Sequence, residues 1–241
     1  MQILQTNDVK IILQGDLVDM RSNFDTQLDI LNAQLTEMSN LIEAAINCAA
    51  EALIESDKNK AKIAKAHDNE IDNMEKDIEK LCIKILLLQQ PVAKDLRQVS
   101  AALKMITDME RIGDQARDIS DILLSSEHGI KINPSGVISQ MAKATIKMVH
   151  NVVDSFVRKD MELAQQVIEF DDVIDVLYSQ AKEEIVDRIR REEEDVNVLV
   201  DLLSVAKYFE RIGDHTTNIA EWVIFSITGV HKTENMMYTE R

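Results

Sequence analysis

The chain has 241 residues but only six glycines, two prolines and nine aromatic residues, so it lacks the turns and strand residues of a sandwich, barrel or doubly wound sheet. We therefore predict an all-α fold. A net charge of −16 argues against non-specific nucleic-acid binding and a polybasic membrane anchor, and it favours cations or basic proteins as ligands. No apolar stretch reaches the roughly 20 residues that span a bilayer, and no signal peptide is evident, so we expect a soluble, cytoplasmic protein without direct membrane insertion.

Turn-forming and capping residues divide the chain into helices. Asp57 and Asp160 are typical N-caps, and Gly229 suits a C-terminal cap. Pro91 and Pro134 suit the first turn of a helix. Apolar residues recur at steps of three and four between these positions, as in the core stripes of helical bundles. The predicted helices cover approximately 20–56, 58–89, 92–127, 134–158, 161–190 and 194–228.

The two halves of the chain are related by an internal repeat. The pentapeptide Glu-Arg-Ile-Gly-Asp occurs at 110–114 and again at 210–214. Upstream, Asp57 and its counterpart Asp160 are slightly farther apart in sequence than the two pentapeptides are. The second repeat is therefore slightly shorter between these points, which indicates a shorter hairpin turn. We predict a duplicated three-helix unit, that is, two pseudo-symmetric three-helix bundles. The predicted regions are an N-terminal extension (1–19), two repeats (20–130 and 131–230) and a C-terminal tail (231–241).

Each half also contains two acidic pairs four residues apart, a spacing that places both side chains on one helix face. The pairs are Asp68/Asp72 and Glu110/Asp114 in the first half, and Asp171/Asp175 and Glu210/Asp214 in the second. In an antiparallel hairpin, residues equidistant from the turn face each other. The first four acidic positions are centred on Pro91, and the second four are centred on the Arg-Arg-Glu-Glu-Glu segment. We therefore predict four carboxylates at one level of each hairpin.

Four neighbouring carboxylates need positive charge, because desolvation and mutual repulsion oppose their ionisation. A multivalent cation supplies that charge, and all-oxygen ligation suits Mg²⁺, Mn²⁺, Ca²⁺ or ferric iron. Asp118 extends the first set of ligands, whereas its counterpart Asn218 weakens the second site or changes its charge. The alternative is a solvated acidic face neutralised by Arg111, Arg117 and Arg211.

Two glycines interrupt the helices between the acidic positions. Gly113 and Gly213 each cost about 1 kcal/mol relative to alanine in a helix interior, which indicates that another group approaches the backbone closely. Tight helix packing is the alternative explanation. His67 and His215 adjoin the acidic residues but point about 100° away along the helix, so we interpret them as surface or rim residues.

The sequence lacks several signatures of catalysis. It has no Glu-x-x-His pair of the kind found in di-iron centres, no glycine-rich phosphate loop, no zinc-type Cys/His spacing and no evident nucleophile–base pair. We therefore predict no catalytic residues. A metal-dependent hydrolase or oxidase using the carboxylates, and a metal-free helical scaffold, are alternatives to a metal-binding regulatory protein.

The segment Gln-Gln-Pro-Val-Ala-Lys-Asp-Leu-Arg at 89–97, the two repeated pentapeptides and the opening Met-Arg-Ser-Asn-Phe at 20–24 occur together. This combination resembles the PhoU family of phosphate-signalling accessory proteins over about 20–228. The resemblance implies two three-helix bundles related by pseudo-symmetry. It also implies multinuclear clusters of iron, zinc or similar ions on Glu/Asp-x-x-x-Asp motifs, which correspond by position to the eight paired carboxylates above.

Function is implied by the same resemblance. Family members dampen the phosphate-starvation response by linking a high-affinity phosphate ABC transporter, here expected to involve its ATPase, to a membrane sensor histidine kinase. We expect peripheral recruitment to the inner face of the membrane through these partners, and a homodimer.

Residues 1–19 carry few helix signals and precede the family-like Met20. We expect translation to begin at Met20, because Gln14-Gly15-Asp16 can be encoded by a run containing the ribosome-binding sequence AAGGAGA. Mass spectrometry of the natively expressed protein tests this expectation.

Overall fold

The computed structural model describes the backbone of residues 5–127, 129–192 and 195–230, and the side chains within these ranges from residue 23 onward. Its helices are α1 (Gln5–Glu55), α2 (Lys58–Gln89), α3 (Lys94–Ser125), α4 (Val137–Arg158), α5 (Met161–Arg190) and α6 (Val196–Thr228). No β-strand occurs in the described ranges. The predicted all-α class is confirmed.

Three predicted helix caps are confirmed. The side chain of Asp57 accepts a hydrogen bond from the Asn59 N–H at 2.7 Å at the start of α2. Asp160 accepts one from the Leu163 N–H at 3.0 Å at the start of α5. Gly229 has φ = 79° and ends α6 in the left-handed conformation that glycine adopts without strain. The two aspartates provide hydrogen-bond partners for N–H groups that have none within the helix, and the glycine lets the chain turn away where the helix ends.

The prolines precede the helices rather than entering their first turns, so two predicted starts are too early. Pro91 lies between α2 and α3, and α3 begins at Lys94. Pro134 is the second residue of a β-turn closed by the Gly136 N–H, which donates to the Asn133 carbonyl at 3.0 Å. Asparagine first, proline second and glycine fourth are favoured in such turns, because proline presets φ and glycine relieves crowding.

The predicted start of the first helix near residue 20 is wrong, because α1 begins at Gln5. Residues 5–19 contain no proline and only one glycine, Gly15, so no strong breaker interrupts the helix. The backbone of most of the predicted extension is therefore continuous with α1. The expected translation start at Met20 stays a prediction. Residues 1–4 and the predicted tail 231–241 lie outside the described residues.

Helices α1–α3 form one bundle and α4–α6 the other, as the repeat predicts. The apolar stripe of α1 is buried, and Leu31, Leu35 and Met38 within it are completely so. The bundles pack together mainly through α3 against α6, with α1 against α4 beside them. Among the described residues, none of the helices combines the length and apolar character needed to cross a bilayer.

Candidate functional site

The α2–α3 hairpin carries the first carboxylate cluster, defined here as Asp68, Asp72, Glu110, Asp114 and Asp118. Arg117 lies among these residues. Its guanidinium is 3.0 Å from an Asp68 oxygen, 3.2 Å from an Asp118 oxygen, and also in contact with Asp114. The register predicts that Asp68 and Asp114 face each other, and in the structure they share one guanidinium.

A second arginine lies at the surface of the first cluster. Arg111 Nη1 is 3.3 Å from an Asp114 oxygen, and Arg111 Nε is 3.5 Å from a Glu110 oxygen. Arg111 is more than half exposed, so solvent screens these contacts. Arg117 is less exposed and its partner Asp68 is buried, so this pair matters more to the charge balance.

Burial opposes ionisation in the first cluster. It raises the pKa of Asp68, against the lowering effect of the hydrogen bond from Arg117. Burial and then the negative charge of Asp114 raise the pKa of Glu110. The cluster therefore holds desolvated carboxylates whose charge is partly offset by its own arginines.

Glu75 also belongs to this region, and the sequence analysis missed it. Burial, followed by the charges of Glu79 and Asp72, raises the pKa of Glu75, and Glu75 in turn acts on Glu110. A position three residues after Asp72 lies on the same helix face, so the spacing contained the signal. The counterpart of Glu75 in the second repeat is Tyr178.

The α5–α6 hairpin carries the second carboxylate cluster, defined as Asp171, Asp175, Glu210 and Asp214. Lys207 contacts one oxygen of Glu210. The other oxygen, Oε2, is buried and accepts no hydrogen bond within the described part of the chain. Asp175 and Asp214 are exposed, whereas Asp171 and Glu210 are partly buried.

Burial and repulsion also oppose ionisation in the second cluster. Burial, and then the charges of Asp175 and Asp214, raise the pKa of Asp171 to about 6. Burial and the charge of Glu210 raise the pKa of Asp214. No lysine, arginine or histidine forms an ion pair with Asp171 or Asp214 among the described residues. Only weaker effects oppose the repulsion: the charges of Lys207 and His215 lower the pKa of Asp214, and a hydrogen bond from Thr217 lowers that of Asp171.

Asp118 and Asn218 have different surroundings. Asp118 joins the first cluster through Arg117. Asn218 instead donates its amide N–H to Asp108 across the bundle interface, at 3.3 Å. Nδ1 of His215 is 2.9 Å from the same Asp108 oxygen. His215 is thus an interface residue and not the surface or rim residue we predicted, because α6 turns that face toward α3.

His67 is nearer to the prediction for it. Its side chain is 22% exposed, and Nδ1 lies 3.8 Å from an oxygen of Glu70, which is too long for a hydrogen bond. The ring therefore lies at the edge of the first cluster, beside Asp68 in sequence, without contacting the cluster carboxylates by hydrogen bond or ion pair.

The mid-helix glycines admit different groups in the two repeats. A methyl group at Gly113 would lie 3.0 Å from Cδ1 of the buried Ile71, so tight helix packing accounts for this glycine. A methyl group at Gly213 would lie 2.7 Å from an Asp171 carboxylate oxygen and 3.4 Å from Ile174. Gly213 therefore allows a carboxylate of the second cluster to approach the α6 backbone.

The geometry bears on the expected metal ions in two ways. In the described part of the chain, no group of three or more His, Cys, Asp or Glu side chains is arranged so that it could hold a metal ion. The second cluster nevertheless has features that suit a cation, namely the unpaired buried oxygen of Glu210 and the close carboxylate of Asp171. Oxygen donors of this kind suit hard ions.

Comparison with known proteins identifies the family. The family model described as the PhoU domain matches the chain twice, at residues 35–123 and 138–223. The phosphate-specific transport system accessory protein PhoU homolog of Clostridium acetobutylicum is 36% identical, over 87% of this chain and 96% of its own length. The corresponding homolog of Pseudomonas aeruginosa is 32% identical, over 86% of each chain.

Solved structures agree with the sequence matches. The crystal structure of PhoU from Pseudomonas aeruginosa aligns with a TM-score of 0.78 and 32% identity, covering 86% of this chain and 100% of that one. The crystal structure of the phosphate transport system regulatory protein PhoU from Streptococcus pneumoniae aligns with a TM-score of 0.78 and 25% identity, covering 86% of this chain and 98% of that one. The chain belongs to the PhoU domain family.

Proposed function

We propose that this chain is a regulatory adaptor of phosphate uptake that negatively regulates the phosphate-starvation response. In this proposal it links the ATPase of a phosphate ABC transporter to a membrane sensor histidine kinase and acts without catalysis. The main support for this proposal is the similarity of the chain to proteins named phosphate-specific transport system accessory proteins, over 96% and 86% of their own lengths. An adaptor of this kind would be cytoplasmic and recruited to the inner face of the membrane through its partners.

The charge distribution supports binding through proteins. The chain carries 43 acidic and 27 basic residues, so basic protein faces are attracted to it and anionic lipid headgroups are repelled. The homodimer belongs to this proposal and is tested by light scattering of the purified full chain.

The metal-binding part of the proposal concerns the carboxylate clusters. Positive charge from iron, zinc, manganese, magnesium or calcium would offset repulsion that Lys207 alone does not offset in the second cluster. The unpaired Oε2 of Glu210 would gain a ligand partner, and Gly213 leaves room for the Asp171 carboxylate beside the backbone. Asp175 and Asp214 are exposed and therefore free to move toward an ion.

Affinity capture from phosphate-replete cells tests the adaptor. The full chain, tagged and cross-linked before lysis, is expected to recover the transporter ATPase and a histidine kinase. An Asp171→Asn/Asp214→Asn variant, captured in parallel, shows whether the second cluster is needed for these contacts. Failure to recover either partner with the unmodified chain would contradict the adaptor.

Turnover and metal measurements test the alternatives. Metal-dependent hydrolysis of phosphate esters that is abolished by Asp114→Asn would support an enzyme instead of an adaptor. Anomalous scattering from crystals saturated with Mn²⁺ or Fe³⁺ locates bound ions. The complete absence of ions at both clusters would favour the metal-free scaffold.

A further inference from the structure

Arg117 has surroundings that resemble those of a cation bound between two helices. Its guanidinium contacts Asp68 on α2, and Asp114 and Asp118 on α3. Asp68 is buried, and the two ends of the guanidinium fork reach different carboxylates: Nη1 contacts Asp68 and Asp114, while Nη2 contacts Asp118. One protein side chain thus holds together carboxylates that the sequence pattern assigns to a metal ion.

The equivalent position in the second repeat has no such cation. Residue 217 is threonine, whose hydroxyl donates a hydrogen bond to the Gly213 carbonyl at 3.2 Å and, as a neutral donor, also interacts with the Asp171 carboxylate. Lys207 forms its ion pair with Glu210. Its charge and that of His215 act on Asp214 only from farther away, without an ion pair to Asp214 or Asp171 in the described part of the chain. The carboxylates that correspond to Asp68 and Asp114 therefore lack the bridge found in the first repeat.

The chemistry of arginine makes this difference consequential. Guanidinium keeps its charge throughout the physiological pH range and presents several N–H donors in a planar fork that suits carboxylates. A metal ion entering between Asp68 and Asp114 must displace the Arg117 guanidinium. This displacement separates a partly buried ion pair and leaves the positive charge of Arg117 close to that of the metal ion. Threonine imposes neither cost at the equivalent position.

We infer that Arg117 takes the place of a metal ion between Asp68 and Asp114, so that the metal binding proposed above is confined to the second cluster, between Asp171 and Asp214. This inference rests on the metal binding proposed above. It makes the two halves of the duplicated chain unequal, with a built-in cation in one and an exchangeable cation in the other.

Reciprocal exchange of the two residues tests the inference. Full-length wild type, Arg117→Thr and Thr217→Arg are titrated with Mn²⁺ by calorimetry, and bound manganese is counted by elemental analysis after dialysis. Arg117→Thr is expected to bind more Mn²⁺ per chain than wild type. Thr217→Arg is expected to weaken the wild-type binding by at least about tenfold, which corresponds to ~1.4 kcal/mol.

Two controls separate the bridge from other effects. Arg211→Thr removes a positive charge from the exposed face of α6 and is expected to leave the amount of bound Mn²⁺ unchanged. Asp171→Asn/Asp214→Asn is expected to abolish wild-type binding, so the test does not depend on Thr217→Arg folding. Circular dichroism verifies the fold of every variant.

The outcomes distinguish the two proposals. If wild type binds Mn²⁺ but Arg117→Thr binds no more, or if Asp68→Asn weakens wild-type binding as much as Asp171→Asn does, the inference is wrong and metal binding stands. If wild type and all variants bind no Mn²⁺, both are wrong.

Discussion

The two carboxylate clusters share one sequence pattern and one helix register, but they differ in how their charge is balanced. In the first, Arg117 bridges Asp68 and Asp114. In the second, Thr217 occupies the equivalent position, and burial and repulsion raise the pKa of Asp171 to about 6. A duplicated backbone can therefore keep the positions of carboxylates while one substitution changes how their charge is balanced.

The duplication also appears at the bundle interface, where equivalent pairs of positions on α3 and α6 contact each other. Asp108 on α3 accepts a hydrogen bond from Asn218 on α6, and Tyr208 on α6 lies beside Asp118 on α3, where burial and then that charge raise the pKa of the tyrosine. Positions 108 and 208, and 118 and 218, correspond in the repeat. The antiparallel packing of α3 on α6 thus gives pseudo-twofold pairs made of different residues.

The largest expected effect tests whether packing is equal in the two halves. Ile71 and Ile174 are both fully buried and lie next to the mid-helix glycines. Ile71→Ala and Ile174→Ala are each expected to lower the free energy of unfolding by about 3 kcal/mol, because each leaves a cavity. Urea denaturation measures this. Costs that differ by more than about 1 kcal/mol would show that packing, and not charge alone, separates the repeats.

The next effect concerns the arginine bridge without metal. In EDTA, Arg117→Thr is expected to lower the free energy of unfolding by about 1–2 kcal/mol, since Asp68 loses its partner while solvent still screens the site. Thr217→Arg is expected to raise it by up to about 1 kcal/mol by placing positive charge near Asp171. Thermal unfolding in EDTA measures both variants, and a stabilising Arg117→Thr would contradict the bridge.

The glycines predict a smaller contrast. Gly113→Ala is expected to cost about 1 kcal/mol net, because overpacking against buried Ile71 exceeds the gain in helix propensity. Gly213→Ala is expected to change stability by less than about 0.5 kcal/mol, because the Asp171 carboxylate can rotate toward solvent and the propensity gain offsets the displacement. Urea denaturation measures the free energy of unfolding of both variants. A greater loss of stability in Gly213→Ala than in Gly113→Ala would contradict this prediction.

The smallest effect is a pH dependence from the second cluster. The pKa of Asp171 is raised from 3.8 to about 6, so the folded state binds its proton more tightly than the unfolded state. The stabilising contribution is complete below about pH 4 and is lost as the pH rises through about 6. Asp171→Asn is expected to remove this loss, which we put below about 1 kcal/mol because the group is only partly buried.

Thermal melts of metal-free protein at several pH values across this range measure the difference. For a chain of this size, 1 kcal/mol corresponds to roughly 2–4 °C in Tm. Asp172→Asn, on the exposed side of the same helix, controls for the loss of one negative charge. An unchanged pH dependence in Asp171→Asn would show that Asp171 is not the source.

Most of the fold could be predicted from local signals. The caps at Asp57 and Asp160 and the end at Gly229 are set by residues within a few positions of each helix end, where backbone groups need partners. The start of α1 could not be found in this way, because the absence of a cap at residue 20 is a weak signal and helices propagate readily once formed. The helix starts predicted at the two prolines were a few residues too early for a related reason. Proline suits both a turn before a helix and the first turn of the helix itself.

The candidate site was predicted only in part. The spacing of Asp68 and Asp72 and the symmetry about Pro91 indicated which acidic residues approach one another, because helix period and hairpin geometry are regular. The spacing could not show that Arg117 bridges Asp68 and Asp114 in preference to pointing into solvent, since that depends on side-chain conformation and on the neighbouring helix.

By itself, the sequence determined the helical class, the duplication and the level at which the acidic residues lie, because these follow from composition, periodicity and turn position. Only the tertiary structure decided which carboxylates have a protein cation, which group approaches each glycine, and that Asn218 and His215 face Asp108. Those features depend on contacts between helices distant in sequence. Two copies of one pentapeptide therefore occupy equivalent places with unequal electrostatics.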